Sequence, residues 1–349
     1  MNTRSAVALP APDVVTRGEP ATAPLAGASP DQQAVVITAA CPVTRRHPGS
    51  PAKGQPDHAD TGDAAPPGAV GADPSGRYSR QITLLGAAGQ RRLTDASVVL
   101  IGLDGLGSHL AQQLAYLGVR QYTLLDGDTV DDSSLNRLIG ATGADVGAPK
   151  ADVAARLIRS IQPAADVRVA AEPVPLALLG AGAAIGSATA IIAGLGEDKD
   201  TVRFILTELC SMTGVPYIDA ASNVRRADGD MVYGGRVVIA GAAAGCLFCR
   251  GELDRRADRA MTPREPQAGA GATSHGPRGA SVVTIDGVVA SLAATEISCL
   301  ISGLRPPCGM LTYRAHEGIV TRSGDQPARH CPYCDRWAAS RRHLIPDDG

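Results

Sequence analysis

Apolar and polar positions alternate in two rhythms along this chain. Ser97–Leu103, SVVLIGL, is an almost unbroken β-branched run, the pattern of a strand buried on both faces. Leu106, Leu110, Leu114 and Leu117 then recur at helical spacing, and Gly118 ends the helix. Gln121–Asp126, QYTLLD, predicts a second strand, which completes a βαβ unit with a right-handed crossover. The alternation continues: helix over 151–161, strand 167–171, helix 176–185, strand 190–194, helix 198–212 and strand 216–220. This pattern predicts an α/β fold with an open, doubly wound, Rossmann-like and mostly parallel sheet. Arg77–Leu93 predicts an amphipathic helical lead-in. After Ala220 the rhythm changes. Met231–Ala240 predicts an antiparallel strand with a glycine break, 281–302 a long buried helix, and 310–323 a hairpin that extends the sheet. No internal repeat is found.

Composition sharpens the boundaries. Of 349 residues only 3% are aromatic, so the core is built from Ala, Val, Leu and Ile. Residues 1–76 lack Phe, Trp and Tyr altogether and are rich in Ala, Pro and Gly. Such a segment buries too little apolar surface to offset its ordering entropy, so it is expected to be disordered. One domain is expected over 77–338, with a mobile polar loop near 254–280 and a tail over 339–349. The 33 basic and 35 acidic residues leave a net charge of −2, which gives no electrostatic footprint for nucleic acid or an anionic membrane. No apolar run is read as reaching the roughly 18–20 residues of a membrane span, and prolines interrupt the start where a signal peptide needs continuity. A cytoplasmic protein is expected.

Eight cysteines include two CxxC knuckles, Cys246/Cys249 and Cys331/Cys334. In a reducing compartment this spacing points to metal rather than disulfides, and two knuckles complete a closed tetrahedral Cys₄ zinc site. Such a closed site is structural and would clamp the C-terminal segment to the sheet.

The turn Gly102-Leu103-Asp104-Gly105-Leu106-Gly107 fits G-x-G-x-x-G only if Asp104 replaces the second glycine. Glycines there admit a phosphate to the helix N-terminus, and Asp126, about 20 residues on, stands where a carboxylate meets ribose hydroxyls. A tight turn without ligand is the plainer alternative. Arg137 in a loop and Lys150 at a helix entry suit the charge of a triphosphate more than a dinucleotide, unless they are surface charge. His109, just beyond the turn, reads as a packing or helix-surface residue.

With these residues in view, the chain resembles the ThiF/MoeB and ubiquitin-activating-enzyme family over roughly Arg77–Trp337. The resemblance implies ATP-dependent adenylation of the C-terminal carboxylate of a small ubiquitin-like or sulfur-carrier protein, or of a peptide. It implies that Gly102, Gly105, Gly107, Asp126, Asp128 and Asn136 hold ATP, and that Arg137 and Lys150 hold its phosphates. Asp198 would bind Mg²⁺, and Arg80 would reach across a homodimer to the partner's nucleotide. Two departures stand out: the family usually has glycine at Asp104 and asparagine at Ser134. Asp104 is expected to cap the helix or face the metal. The loop at 254–279 holds no cysteine, so the acyl group is expected to pass to an external acceptor. Cys210 and Cys299 read as core, Cys308 as a loop thiol and Cys41 as part of the tail. Two other classes stay open: a dinucleotide-dependent oxidoreductase, and a zinc-stabilised nucleotide- or partner-binding protein without turnover.

Overall fold

The computed structural model describes residues 34–35, 74–196, 199–227, 230–241, 245–253, 280–322 and 331–337. A helical lead-in, α1 (Pro74–Arg77) and α2 (Ser79–Asp95), precedes the sheet. Gly86 breaks α2 with a φ of +69°, a left-handed conformation that costs glycine little. The βαβ unit is β2 (Ser97–Ile101), α3 (Gly105–Leu117) and β3 (Gln121–Leu125). Then follow α4 (Lys150–Ile161), β4 (Asp166–Ala170), α5 (Val174–Gly180), α6 (Gly182–Gly186), β5 (Ala190–Gly194) and α7 (Asp200–Thr213). The chain continues through β6 (Tyr217–Ala227), β7 (Asp230–Ala240), α8 (Val283–Ser302), β8 (Met310–Arg314) and β9 (Ile319–Arg322). A two-residue strand, β1 (Ala34–Val35), pairs antiparallel with β9. It lies within the stretch expected to be disordered; the rest of 1–73 lies outside the described residues, as do 254–279 and 338–349.

The sheet order is β1-β9-β8-β7-β6-β5-β2-β3-β4. β6, β5, β2, β3 and β4 are parallel neighbours, and β7, β8 and β9 extend the sheet antiparallel. Two sequence-level boundaries shift. The helix expected over 176–185 is divided into α5 and α6 around the Gly180-Ala181-Gly182 step, where glycine weakens helical continuity. β6 runs on to Ala227 instead of ending at Ala220, because its second half pairs with β7 from Ala221↔Arg236 to Ala227↔Asp230.

Each face of the sheet carries its own core. On one, Val98, Leu100 and Leu124 pack with leucines of α3, alanines of α4 and the apolar stripe of α8. On the other, Val99, Ile101, Ile191 and Tyr217 pack with α5, α6, α7 and the cysteine knuckles. α8 corrects one reading: by length and composition it is apolar enough to cross a membrane. Here it packs against α2, α3, β6 and β7 as the central helix of one layer.

Candidate functional site

The βα turn after β2 is shaped by close approach. Gly102 has a φ of +77°, and a Cβ there would lie 2.6 Å from the Gly194 carbonyl oxygen of β5. At Gly107 a Cβ would lie 1.8 Å from the Gly102 carbonyl oxygen, so no larger residue fits where α3 leaves the strand. Asp126 ties the turn to the end of β3. Its Oδ2 accepts from the Leu103 N–H at 2.6 Å and its Oδ1 from the Asp128 N–H at 2.8 Å. Burial pushes this carboxyl above its ordinary value, although those two amides and Lys150 oppose the shift.

The two expected phosphate cations converge on the same turn. Arg137, buried in the loop after a 3₁₀ turn at Asp132–Ser134, donates from Nη2 to Asp104 Oδ2 at 2.9 Å and from Nη1 to Asn136 Oδ1 at 3.3 Å. Its Nη1 also donates to the Ser133 carbonyl. Lys150 opens α4 and is almost wholly buried; its Nζ lies 3.4 Å from Asp104 Oδ1 and 3.7 Å from Asp128 Oδ2. The structure thus brings Gly102, Gly105, Gly107, Asp126, Asp128, Asn136, Arg137 and Lys150 together.

Asp104 corrects an expectation. It stands at the N-cap position of α3 but makes no side-chain cap bond; its carboxylate instead bridges Arg137 and Lys150. Burial alone would raise its pKa, yet those two cations outweigh it and hold the group below the ordinary carboxylate value. Ser134 is fully buried and its hydroxyl donates to Asp131 Oδ1 at 2.8 Å, an interaction that secures the loop from within.

Asp198 lies outside the described residues, and the flanking backbone is anchored by groups that sequence reasoning missed. Arg203 of α7 donates from Nη2 to the Leu195 carbonyl at 2.7 Å and from Nε to Asp219 Oδ1 at 3.1 Å. Fully buried Asp219 also accepts from Tyr217 Oη at 2.8 Å and from Arg236, which pairs in turn with Glu252. A second missed carboxylate, Asp286, is buried in the first turn of α8. Ser222 and Ser281 hydroxyls donate to it, and its Oδ2 would lie 2.2 Å from a Cβ on Gly105. The available signal was an acidic residue in the first turn of a largely apolar helix, since a buried carboxylate requires built-in partners.

Arg80 is exposed near the start of α2. That end of α2 is tied to the C-terminal ends of α3 and α4: Gln81 Nε2 donates to the Leu117 carbonyl at 3.0 Å, and Gln162 Nε2 to the Tyr78 hydroxyl at 2.6 Å. The glycine turn and Lys150 sit at the opposite, N-terminal ends of these helices. At about 1.5 Å rise per residue, the length of α3 separates Arg80 from its own chain's turn by roughly 20 Å.

The four knuckle cysteines meet. Their sulfurs lie within 4.8 Å of one another, with neighbouring pairs at 3.5 Å (Cys246–Cys249), 3.7 Å (Cys246–Cys331) and 3.4 Å (Cys249–Cys334). Zinc–sulfur bonds of about 2.3 Å in a tetrahedron require sulfurs about 3.8 Å apart, so the donor set fits Zn²⁺. Burial pushes the Cys246 thiol well up and Cys334 up to about 12, whereas at Cys331 burial is outweighed by hydrogen bonds, which lower it, so a cation bound here would displace protons from the raised pair. Both phenylalanines, Tyr333 and Trp337 gather at this clamp. Phe248 stacks on Tyr333 at 3.8 Å, Phe204 meets Phe248 edge-on, and the chain's single Trp, Trp337, donates to Glu208 Oε1 at 3.1 Å. Cys210 and Cys299 are buried as expected, and burial raises both thiols. Cys308 is half-buried, with Arg305 Nη1 3.6 Å from its sulfur.

Comparison with known proteins bears on this geometry. The sulfur carrier protein adenylyltransferase of Thermus thermophilus is 29% identical over 262 residues, covering 74% of this chain and 90% of that protein. The sulfur carrier protein ThiS adenylyltransferase of Escherichia coli is 29% identical over 264 residues, covering 74% of this chain and 94% of that protein. The SAMP-activating enzyme E1 of Haloferax volcanii is 35% identical over 147 residues, 42% of this chain, and the match spans about half (53%) of that enzyme's length. Among solved structures, E. coli MccB with ATP shares the fold with a TM-score of 0.56 at 21% identity, covering 74% of each chain. The family model described as ThiF matches residues 78–332, from the lead-in helix to the first cysteine of the second knuckle, and the chain therefore belongs to the ThiF family.

Proposed function

We propose that this protein uses ATP to adenylate the C-terminal carboxylate of a small ubiquitin-like or sulfur-carrier protein, or of a peptide. The observation that carries the reading is the convergence of buried Arg137 and Lys150 on the glycine turn, beside an Asp126 tethered to that turn. Relatives named as adenylyltransferases of sulfur carriers support it.

In the proposed reaction a substrate carboxylate attacks the α-phosphorus of ATP, and the bond to the bridging oxygen of pyrophosphate breaks. The carboxylate is already ionised at neutral pH and needs no general base. The barrier lies in alignment and in charge on the phosphoryl oxygens. Arg137 offers a planar fork of donors and Lys150 a point charge, both fixed by their buried surroundings. Asp126 accepts hydrogen bonds from ribose hydroxyls while holding the turn in shape. Asp198, by the family resemblance, would hold an Mg²⁺ ion, which would supply positive charge to the phosphates. The position of Arg80 at the far ends of α3 and α4 suits service to the nucleotide of a second copy in a homodimer. The clamp cysteines, engaged with Zn²⁺, are not available to form a thioester. With no cysteine over 254–279, the acyl group passes to an external acceptor. Thiolate ligands suit a reducing, cytoplasmic setting, and the near-neutral charge balance offers nothing to nucleic acid. Exchange of labelled pyrophosphate into ATP, stimulated by a candidate carrier protein, tests the reading. Tight NAD(H) binding without such exchange would overturn it.

A further inference from the structure

Arg137 and Lys150 are buried cations, with side chains 9% and 1% exposed, and both face one carboxylate. A buried cation without a counter-charge is costly, so an anion beside the pair stabilises it while phosphate is absent. Asp104 stands there. Its side chain is 37% exposed, far more than either cation, so it forms the outer layer of the cluster, where a solvent-borne anion arrives. It makes no cap bond to the α3 backbone, so rotation about its own side-chain bonds would free it without disturbing the helix. Asp128 adds a second carboxylate near Lys150, and buried Asp126 interacts with the same lysine, so the cations are compensated before any ligand binds.

We propose that Asp104 is an internal counter-anion: it occupies Arg137 and Lys150 in the empty protein and gives them up to the phosphates of the nucleotide. The inference rests on the nucleotide reading of this site and adds a consequence to it. A ligand gains only the difference between its own contacts and those of Asp104. A polyphosphate that engages both cations at once repays that exchange, whereas a single weak anion does not. Asp104 therefore lowers nucleotide affinity in return for keeping two buried cations paired and aligned, and it favours triphosphate over monophosphate ligands.

The test is calorimetric titration of the full chain with the non-hydrolysable analogue α,β-methylene-ATP, in Mg²⁺ and again in EDTA. Wild type is compared with Asp104→Asn and, should that variant fold poorly, Asp104→Ser. Removal of the carboxylate is expected to tighten binding about tenfold in both buffers, the scale of one partly buried ion pair no longer broken. Equal or weaker binding by the variants would overturn the proposal. A loss confined to the Mg²⁺ buffer would overturn it by making Asp104 a metal ligand. Thermal melting without nucleotide gives an independent reading. Asp104→Asn should melt lower than wild type and gain more from added pyrophosphate, because its two cations lack their counter-anion. If wild type and variants alike bind no analogue, the proposed function fails, and melting alone decides the inference. A larger pyrophosphate gain in the variant then supports it, and an equal gain overturns it.

Discussion

Asp219→Asn removes one charge from the centre of the Arg203–Asp219–Arg236 network. Asp219 is fully buried and receives Arg203 Nε at 3.1 Å, Arg236 Nη1, and the Tyr217 hydroxyl at 2.8 Å. Taking one partner from a buried ion pair costs about 3–5 kcal/mol, because the other charge is left in a poor solvent. Arg203 keeps the Leu195 carbonyl and Asp200, and Arg236 keeps Glu252, so the expected loss is at the low end, about 3 kcal/mol. For a domain of this size that is a fall in melting temperature of about 6–12 °C. The pH dependence has a definite sign. Burial alone would raise the Asp219 pKa, but Arg203 and Arg236 reverse this and hold it below the ordinary value. A depressed carboxyl stabilises the fold above the unfolded value, about pH 4, and that stability is lost as pH falls through the folded one. Melting curves of wild type and variant should therefore differ at neutral pH and converge in acid. A shift under about 2 °C at pH 7, or a gap that widens in acid, would refute the reasoning, since the network would then carry no net charge stabilisation.

Other perturbations probe separate parts of the account. Cys331→Ser should remove bound zinc, measured as metal per chain by atomic emission, and lower thermal stability; full metal content would sink the Cys₄ assignment. Gly107→Ala, whose Cβ would lie 1.8 Å from the Gly102 oxygen, should cost about 3 kcal/mol or more, whereas Gly143→Ala, with open space around it, should be neutral in the same unfolding assay. Burial raises the Asp126 carboxyl, so nucleotide affinity should decline with acid from a higher pH than an ordinary aspartate would give. In Asp126→Asn, affinity should be lower and that acid limb absent; an unchanged limb would assign it elsewhere.

Much of this could be read from the chain, for identifiable reasons. The parallel strands announce themselves because burial on two faces demands continuous Val, Ile and Leu, as in 97–103. The glycine turn is legible because close backbone approach tolerates no side chain. The cysteine knuckles are legible because metal geometry fixes their spacing. What stayed hidden depends on contacts between distant segments. Nothing local marks Asp219 as the partner of Arg203 and Arg236, or brings Asp286 from α8 to Gly105. The length of β6 was hidden because its outer half is held by β7 rather than by apolar burial. Asp104 was visible as a departure, but its role depends on two cations 33 and 46 residues away, placed by different elements.

The central claim, that this site transfers an adenylyl group to a carboxylate, is tested most directly by ATP–pyrophosphate exchange with a carrier protein or peptide bearing a free C-terminus. Wild type should exchange label only when that carboxylate is present. Arg137→Ala and Lys150→Ala should each reduce exchange by at least about a hundredfold, the scale for removing one charge-stabilising group, while melting as folded proteins. Full exchange in either variant, or exchange with a substrate whose C-terminus is amidated, would contradict the account.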